Sequence, residues 1–125
     1  MSENRNPVGW FEIYVQDMDR AKTFYEKTFD VSLQRLDTAG LEMWTWPMAP
    51  EAPGCTGALV KMEGKDSGVG GVIIYFPGDD CGEMAARVEK NGGRIQKQKF
   101  PIGQHGFISL VLDTEGNMIG LHSMK

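Results

Sequence analysis

Apolar and polar residues alternate along several short segments of the chain, and alternation of this kind is typical of β-strands with one buried face. The first such segment is Trp10–Val15, with the sequence WFEIYV. One of its faces is purely apolar and is predicted to face a core: Phe11, Ile13 and Val15. The other face combines two aromatic rings with a carboxylate: Trp10, Glu12 and Tyr14.

A helical period follows this first strand. Apolar side chains at Ala21, Phe24 and Tyr25 have the spacing of one helix face, and Thr28 or Phe29 continues it. The pattern predicts a helix from about Met18 to Phe29, with Asp17 as its N-cap. Three further strands are expected before the middle of the chain, at Val31–Leu36, Leu41–Trp46 and Thr56–Met62.

The same order of elements then starts again. A strand at Gly71–Phe76 precedes a helix at Cys81–Asn91, which Asp79 or Asp80 would cap. Strands at Arg94–Lys99, Phe107–Leu112 and Asn117–Ser123 complete the second half. Each half therefore reads strand, helix, strand, strand, strand, and a half of this size buries too little surface to be stable alone. We predict a single domain, residues 1–125, with module one at about 8–63 and module two at about 71–124.

Composition and charge exclude several classes of function. The chain has 125 residues and a net charge of −4, which argues against nucleic acid or an anionic membrane as the main partner. Its N-terminal segment, MSENRNPV, is polar, so a cytoplasmic location is expected. The two cysteines, Cys55 and Cys81, form no CxxC pair and are interpreted as reduced thiols.

Several short motifs lie at matching places in this duplicated pattern. They are Asp17–Ala21 (DMDRA) with Phe24-Tyr25, then Asn91–Gly93 (NGG) and Asp113–Asn117 (DTEGN). In their order and spacing, from about Val8 to Ser123, the sequence resembles the vicinal oxygen chelate superfamily. That group includes lactoylglutathione lyase, bleomycin-resistance proteins and extradiol dioxygenases. The resemblance implies an α+β fold of two tandem βαβββ modules forming a curved sheet with a central cleft.

The resemblance also implies where a divalent metal would be held. Metal-dependent members use His, Gln or Glu from the first strand of each module and from near the end of the last strand. Those positions fall here on Trp10, on Gly71 or Ile73, and on Gly120. None of these side chains is a donor for a divalent ion, so we predict no metal site and no cofactor. A divalent metal would be possible only if Glu12 and His122 formed a displaced site.

Glu12 is the strongest candidate for chemistry. The period of two places it on the same face as Trp10 and Tyr14, where it could act as a catalytic general base, as a polar contact for a ligand, or as a structural carboxylate. His122 follows Gly120 by two residues and is expected on the cleft side as well, although a histidine at a strand end could also be a hydrogen-bonded structural residue. The predicted ligand-binding residues are aromatic or apolar for the most part, and the aromatic ones could instead pack in the core or at a dimer interface: Trp10, Tyr14, Trp44, Trp46, Ile73, Tyr75 and His122.

Two hypotheses about function follow. The first is a glyoxalase-like binding protein that holds an aromatic or amphipathic small molecule in the inter-module cleft without the usual metal. The alternative is a glyoxalase-type lyase or isomerase that uses Glu12, with His122, as base or displaced metal ligand; an interaction subunit is a third reading. A homodimer is expected, both from the resemblance and from the many large apolar side chains.

Overall fold

Both halves of the chain fold with the same order of elements. The computed structural model describes residues 5–38 and 40–125, so residues 1–4 of the polar N-terminal segment and Ala39 lie outside the described residues. It divides into two compact units, Trp10–Val72 and Ile73–Lys125 with residues 5–9. The prediction of an α+β fold with two βαβββ modules is confirmed, whereas the cleft stays a prediction.

The first unit carries the elements of the first module. They are β1 (Trp10–Tyr14), α1 (Met18–Phe29), β2 (Gln34–Thr38), β3 (Leu41–Thr45) and β4 (Gly57–Lys61). The strands are hydrogen-bonded in the order β2-β3-β4-β1. Strands β1 and β4 are parallel, and the other two pairs are antiparallel.

The second module repeats this arrangement. Its elements are β5 (Val72–Pro77), α2 (Cys81–Lys90), β6 (Arg94–Pro101), a 3₁₀ turn at Gly103–His105, β7 (Phe107–Leu112) and β8 (Met118–Ser123). The strand order is β5-β8-β7-β6, with β5 and β8 parallel and the other pairs antiparallel. No helix in residues 5–38 or 40–125 is long and apolar enough to cross a membrane.

Helix α1 begins and ends where the sequence predicts. The Asp17 side chain accepts a hydrogen bond from the Arg20 amide at 3.0 Å, and Asp30 ends the helix in the left-handed conformation. The helix packs over a core of Val15, Met18, Leu33 and Leu59, to which Ile13 also contributes. The apolar face predicted for β1 therefore lies under α1.

The predicted apolar stripe of α1 is wrong at one edge. The line of contact with the core runs through Met18, Ala21 and Tyr25, which recur every three or four residues. Phe24 precedes Tyr25 by one residue and is rotated by about 100° around the helix, so 59% of its surface remains exposed. Phe29, at the last turn, is 61% exposed.

Helix α2 is capped by Asp80, one of the two residues expected for this role. One carboxylate oxygen of Asp80 accepts hydrogen bonds from the Gly82 amide at 2.8 Å and from the Lys99 ammonium at 3.0 Å. The hydrogen bond from Lys99, followed by the bond from the Gly82 amide, lowers the pKa of the Asp80 carboxyl below 3.8. The helix packs on a second core that includes Cys81 and Val111.

We predict that the contribution of the Asp80 charge to stability depends on pH. A carboxyl whose pKa is lower in the folded state than in the unfolded state stabilises the fold above the unfolded value, and this contribution is lost as pH falls through the folded value. Asp80→Asn keeps an acceptor for the cap and removes the charge. Its melting temperature is expected to lie below that of the wild type at neutral pH, and the two should converge below about pH 3.8.

Thermal melts followed by circular dichroism between about pH 7 and about pH 2.5 measure this difference. Asp79→Asn is the matched control because it removes the same charge from an exposed neighbouring residue outside the cap. A difference between Asp80→Asn and wild type that stays constant over this range would contradict the assignment.

Candidate functional site

A buried carboxylate lies on the side of the first sheet that faces away from α1. Glu12 is 9% exposed, and its two oxygens accept from different side chains. The Trp10 indole Nε1 donates to Oε2 at 3.1 Å, and the Tyr14 hydroxyl donates to Oε1 at 2.7 Å. The three residues alternate along β1, so their side chains share one face, which is called the Glu12 face below. The predicted grouping of Trp10, Glu12 and Tyr14 on one face is therefore confirmed by these contacts.

Buried side chains surround Glu12 on this face. In the sheet register Glu12 pairs with Ala58 of β4, which in turn pairs with Thr45 of β3. Tyr14 pairs with Val60, and all four of these neighbouring side chains are buried. Hydrogen bonds to an ionised group are stronger in such surroundings than in water. The arrangement can hold a negative charge in a fixed position, from which Glu12 could accept a hydrogen bond or a proton.

Lys65 is a residue of this region that the sequence analysis did not select. Its ammonium lies 5.3 Å from the centre of the Tyr14 ring and donates to the Gly70 carbonyl at 3.2 Å. The Gln16 side chain donates to the Lys65 carbonyl at 3.3 Å. The glycine-rich connector therefore brings a cation beside the ring whose hydroxyl binds Glu12. One lysine among glycines carries no periodic signal, so only the course of the connector reveals it.

Trp44 and Trp46 do not lie on the Glu12 face, and the prediction that they group with Trp10 and Tyr14 is wrong. Both pack against the core beneath α1. The Lys22 ammonium lies 3.3 Å from the centre of the Trp44 ring, and the Trp46 ring lies 5.6 Å from that of Tyr25 in an edge-on arrangement.

The physical reason is that both faces of β3 carry large apolar side chains. Met43, which alternates with Trp44, is buried on the Glu12 face opposite Val60. The period of two therefore places the two tryptophans together without deciding which side of the sheet they occupy.

In the second unit, Ile73 and Tyr75 lie on the face of the sheet away from α2. Their exposed fractions are 2% and 5%. Phe76, the next residue along β5, faces the opposite side and packs into the core beneath α2. Tyr75 pairs with Gly120 of β8, so Gly120 lies on the same face. Whether Ile73 and Tyr75 contact a ligand stays a prediction.

His122 follows Gly120 on the same side of β8 and is half-buried. Its Nε2 lies 2.6 Å from the His105 carbonyl oxygen. Since a carbonyl only accepts, His122 carries a proton on Nε2 and donates it to the turn at Gly103–His105. This bond fixes the imidazole ring and holds the turn against β8. His122 belongs to the second unit and Glu12 to the first, and their joint action stays a prediction.

The comparisons with known proteins identify the family. The family model described as Glyoxalase/Bleomycin resistance protein/Dioxygenase superfamily matches residues 8–121. The chain belongs to this superfamily. The resemblance seen in the motifs of the two modules is thereby confirmed. The comparison with curated proteins found no match.

Solved structures with the same fold include methylmalonyl-CoA epimerases. A variant of the Streptomyces coelicolor epimerase, in complex with 2-nitronate-propionyl-CoA, has a TM-score of 0.68 at 19% identity, covering 93% of this chain and 92% of that one. The epimerase of Mycobacterium tuberculosis has a TM-score of 0.65 at 15% identity, covering 95% of this chain and 88% of that one. A hypothetical protein of Bacillus halodurans has a TM-score of 0.71 at 14% identity, covering 94% of each chain. At these identities the likeness shows a shared fold.

The residues at the expected metal-ligand positions of this glyoxalase-superfamily chain do not fit a divalent ion. Trp10 donates its only polar hydrogen to Glu12, Ile73 is apolar, and Gly120 has no side chain. A Cβ atom at position 120 would overlap the Tyr75 ring, so there is no space for a ligand side chain there. Within the described ranges, 5–38 and 40–125, no cluster of three or more His, Cys, Asp or Glu side chains could hold a metal.

We predict that the Tyr14 hydroxyl stabilises the fold through Glu12. A hydrogen bond to a charged acceptor contributes about 1.5–3 kcal/mol, and Tyr14→Phe removes it with little change in ring packing. The free energy of unfolding from urea titration should fall by about this amount. Tyr25→Phe is the matched control, since Tyr25 packs on the α1 side, and it should change stability by no more than about 0.5 kcal/mol. Equal effects of the two variants would show that the Glu12 bond contributes nothing.

Proposed function

We propose that this chain is a glyoxalase-like small-molecule-binding protein in which Glu12 anchors the ligand and no metal is used. The observation that carries the proposal is the buried Glu12 carboxylate, held by the Trp10 indole and the Tyr14 hydroxyl on a sheet face without the module's helix. A ligand that reaches Glu12 meets hydrogen-bond acceptors in a fixed position. Its orientation therefore costs little further ordering of the protein.

The charge of Glu12 determines which ligands this site favours. A carboxylate accepts hydrogen bonds and attracts cations, whereas a divalent metal attracts oxygen-rich anions. The surrounding Ala58, Val60 and Trp10 offer an apolar or aromatic environment. We therefore propose a ligand with an aromatic or apolar body and at least one N–H, O–H or ammonium group.

The second candidate is a lyase or isomerase of the glyoxalase type. The observation that favours it is that both carboxylate oxygens of Glu12 accept a hydrogen bond. A general base must be fixed within reach of the proton that it removes. In this reading the Tyr14 hydroxyl and the Trp10 indole orient the carboxylate. His122, held by the His105 carbonyl, would belong to the same reaction as a second polar group.

We predict that Glu12→Gln separates these two candidates. Purified protein is first screened by thermal shift against planar aromatic amines and amides and against carboxylates of matching size. Compounds with donor groups should raise the melting temperature, and the carboxylates should not. For such a compound, Glu12→Gln should weaken binding by about 10-fold to 150-fold, which corresponds to the loss of a charge-assisted hydrogen bond.

The matched control is Glu42→Gln. Glu42 also accepts from the tryptophan two residues away along its strand, Trp44, at 3.3 Å, but it lies on the α1 side of β3. This variant should bind as the wild type does. If turnover is found and Glu12→Gln lowers it by about 10²–10⁴-fold with unchanged affinity, the enzyme candidate replaces the binding protein. A Glu12→Gln variant that binds and turns over as the wild type does would exclude both.

We also propose that the protein is a cytoplasmic homodimer. Exposed aromatic side chains support association, since Phe24 meets the half-buried Tyr25 ring of α1 edge-on and Phe29 stacks on it. The free thiols of Cys55 and Cys81 are consistent with a reducing compartment.

We predict that light scattering coupled to size-exclusion chromatography gives about twice the 13.9 kDa of one chain at micromolar concentration. The physical reason is that paired chains would cover aromatic surface that a single chain leaves exposed to water. A mass that stays near that of one chain over a concentration series would contradict the dimer.

A further inference from the structure

The Tyr75 ring and Gly120 interlock on the second module. The two residues pair across β5 and β8. A Cβ atom on residue 120 would overlap Cδ1 and Cε1 of Tyr75 and would lie 2.8 Å from its Cγ. Real side chains essentially never approach so closely, so the ring fills the space that any side chain at position 120 would need.

The backbone does not require glycine at this position. Gly120 is absent from the residues with positive φ among those that the structure describes, whereas Gly116 in the preceding turn has a φ of 86°. An L residue could therefore adopt the backbone conformation of residue 120 without strain. The Tyr75 ring, and not the course of the chain, excludes a side chain there.

Tyr75 itself is held in place. Its carbonyl accepts from the Gly9 amide at 3.0 Å, and its strand pairs with β8 on the other side. The residue is 5% exposed, so another rotamer of the ring would have to displace buried neighbours. The overlap at position 120 is therefore a fixed property of the second module.

We infer that Tyr75 closes the second module to a metal ligand and thereby determines which ligands the protein takes. Position 120 is where the superfamily resemblance places the last-strand metal ligand, and a ring occupies the space of that side chain. The module thus carries a buried aromatic ring in place of a His, Gln or Glu side chain. The inference rests on the proposed metal-free function and deepens it by naming the residue that excludes chelating, oxygen-rich ligands.

A pair of substitutions tests the interlock. Gly120→Ala in the wild-type background should lower the melting temperature by roughly 5–15 °C, because it overpacks the ring. In a Tyr75→Ala background the same change should have little effect, since the ring is gone. The Tyr75→Ala single variant is the reference for the second comparison, so that the coupling between the two positions is measured as a double-mutant cycle.

A second measurement covers the case in which Tyr75→Ala does not fold. In the wild-type protein, the α-protons of Gly120 should resonate upfield of the ordinary glycine position because they lie against the face of an aromatic ring. Both results together support the interlock. A Gly120→Ala protein as stable as the wild type, or Gly120 α-protons at the ordinary position, would overturn it.

Metal binding distinguishes failure of the inference from failure of the proposed function. Wild-type protein is dialysed against Zn²⁺, Ni²⁺, Co²⁺ and Mn²⁺, and bound ions are counted by elemental analysis. No stoichiometric ion is expected, and none of the metals should raise the melting temperature. One ion per chain that is lost in Glu12→Gln would refute the metal-free function. The contact between Tyr75 and Gly120 would still be tested separately by the Gly120→Ala variants. One ion per chain that is retained in Glu12→Gln but lost in His122→Ala would place a metal ligand in the second module and overturn the inference itself.

Discussion

Strands β1, β3 and β5 each have one face on the side of their module's helix and one face away from it, and the positions of the candidate side chains on these strands depend on this constraint. Because side chains alternate along a strand, placing Ile13 and Val15 beneath α1 commits Glu12 to the other side. The same rule in the second module places Phe76 beneath α2 and Tyr75 on the opposite face. The helices thus determine indirectly which residues are left for a ligand.

Two of the hydrogen-bond donors that hold the buried Glu12 carboxylate come from its own strand. Side chains two residues apart lie side by side on one face, so the Trp10 indole and the Tyr14 hydroxyl both reach the carboxylate. Strand β3 contains the same kind of hydrogen bond between residues two apart, with the Trp44 indole donating to the Glu42 carboxylate at 3.3 Å. The two pairs differ in their side of the sheet, which is why one is a candidate site and the other is part of the helix packing.

The two modules resemble each other on the helix side and differ on the opposite side. Tyr75 corresponds to Tyr14 in the repeat, and Ile73 corresponds to Glu12. In the first module the tyrosine hydroxyl binds the carboxylate, whereas in the second module the ring packs on Gly120. The helix side tolerates exchange of one apolar residue for another of similar volume. The opposite side carries the polar and steric features that set one module apart from the other.

The sequence by itself determined the order of the elements, the helix cap at Asp17, the choice of Asp79 or Asp80 as the second cap, and the face of β1 that carries Glu12. The elements and the caps depend on residues that are a few positions apart in the chain. The face of β1 that carries Glu12 was predictable because it is more polar than the opposite face. Only the tertiary structure decided which side Trp44 and Trp46 occupy, since both faces of β3 carry large apolar side chains. It also decided that Lys65 lies beside Tyr14 and that the Tyr75 ring fills the space at Gly120. Those contacts join segments far apart in the chain, and no local period encodes them.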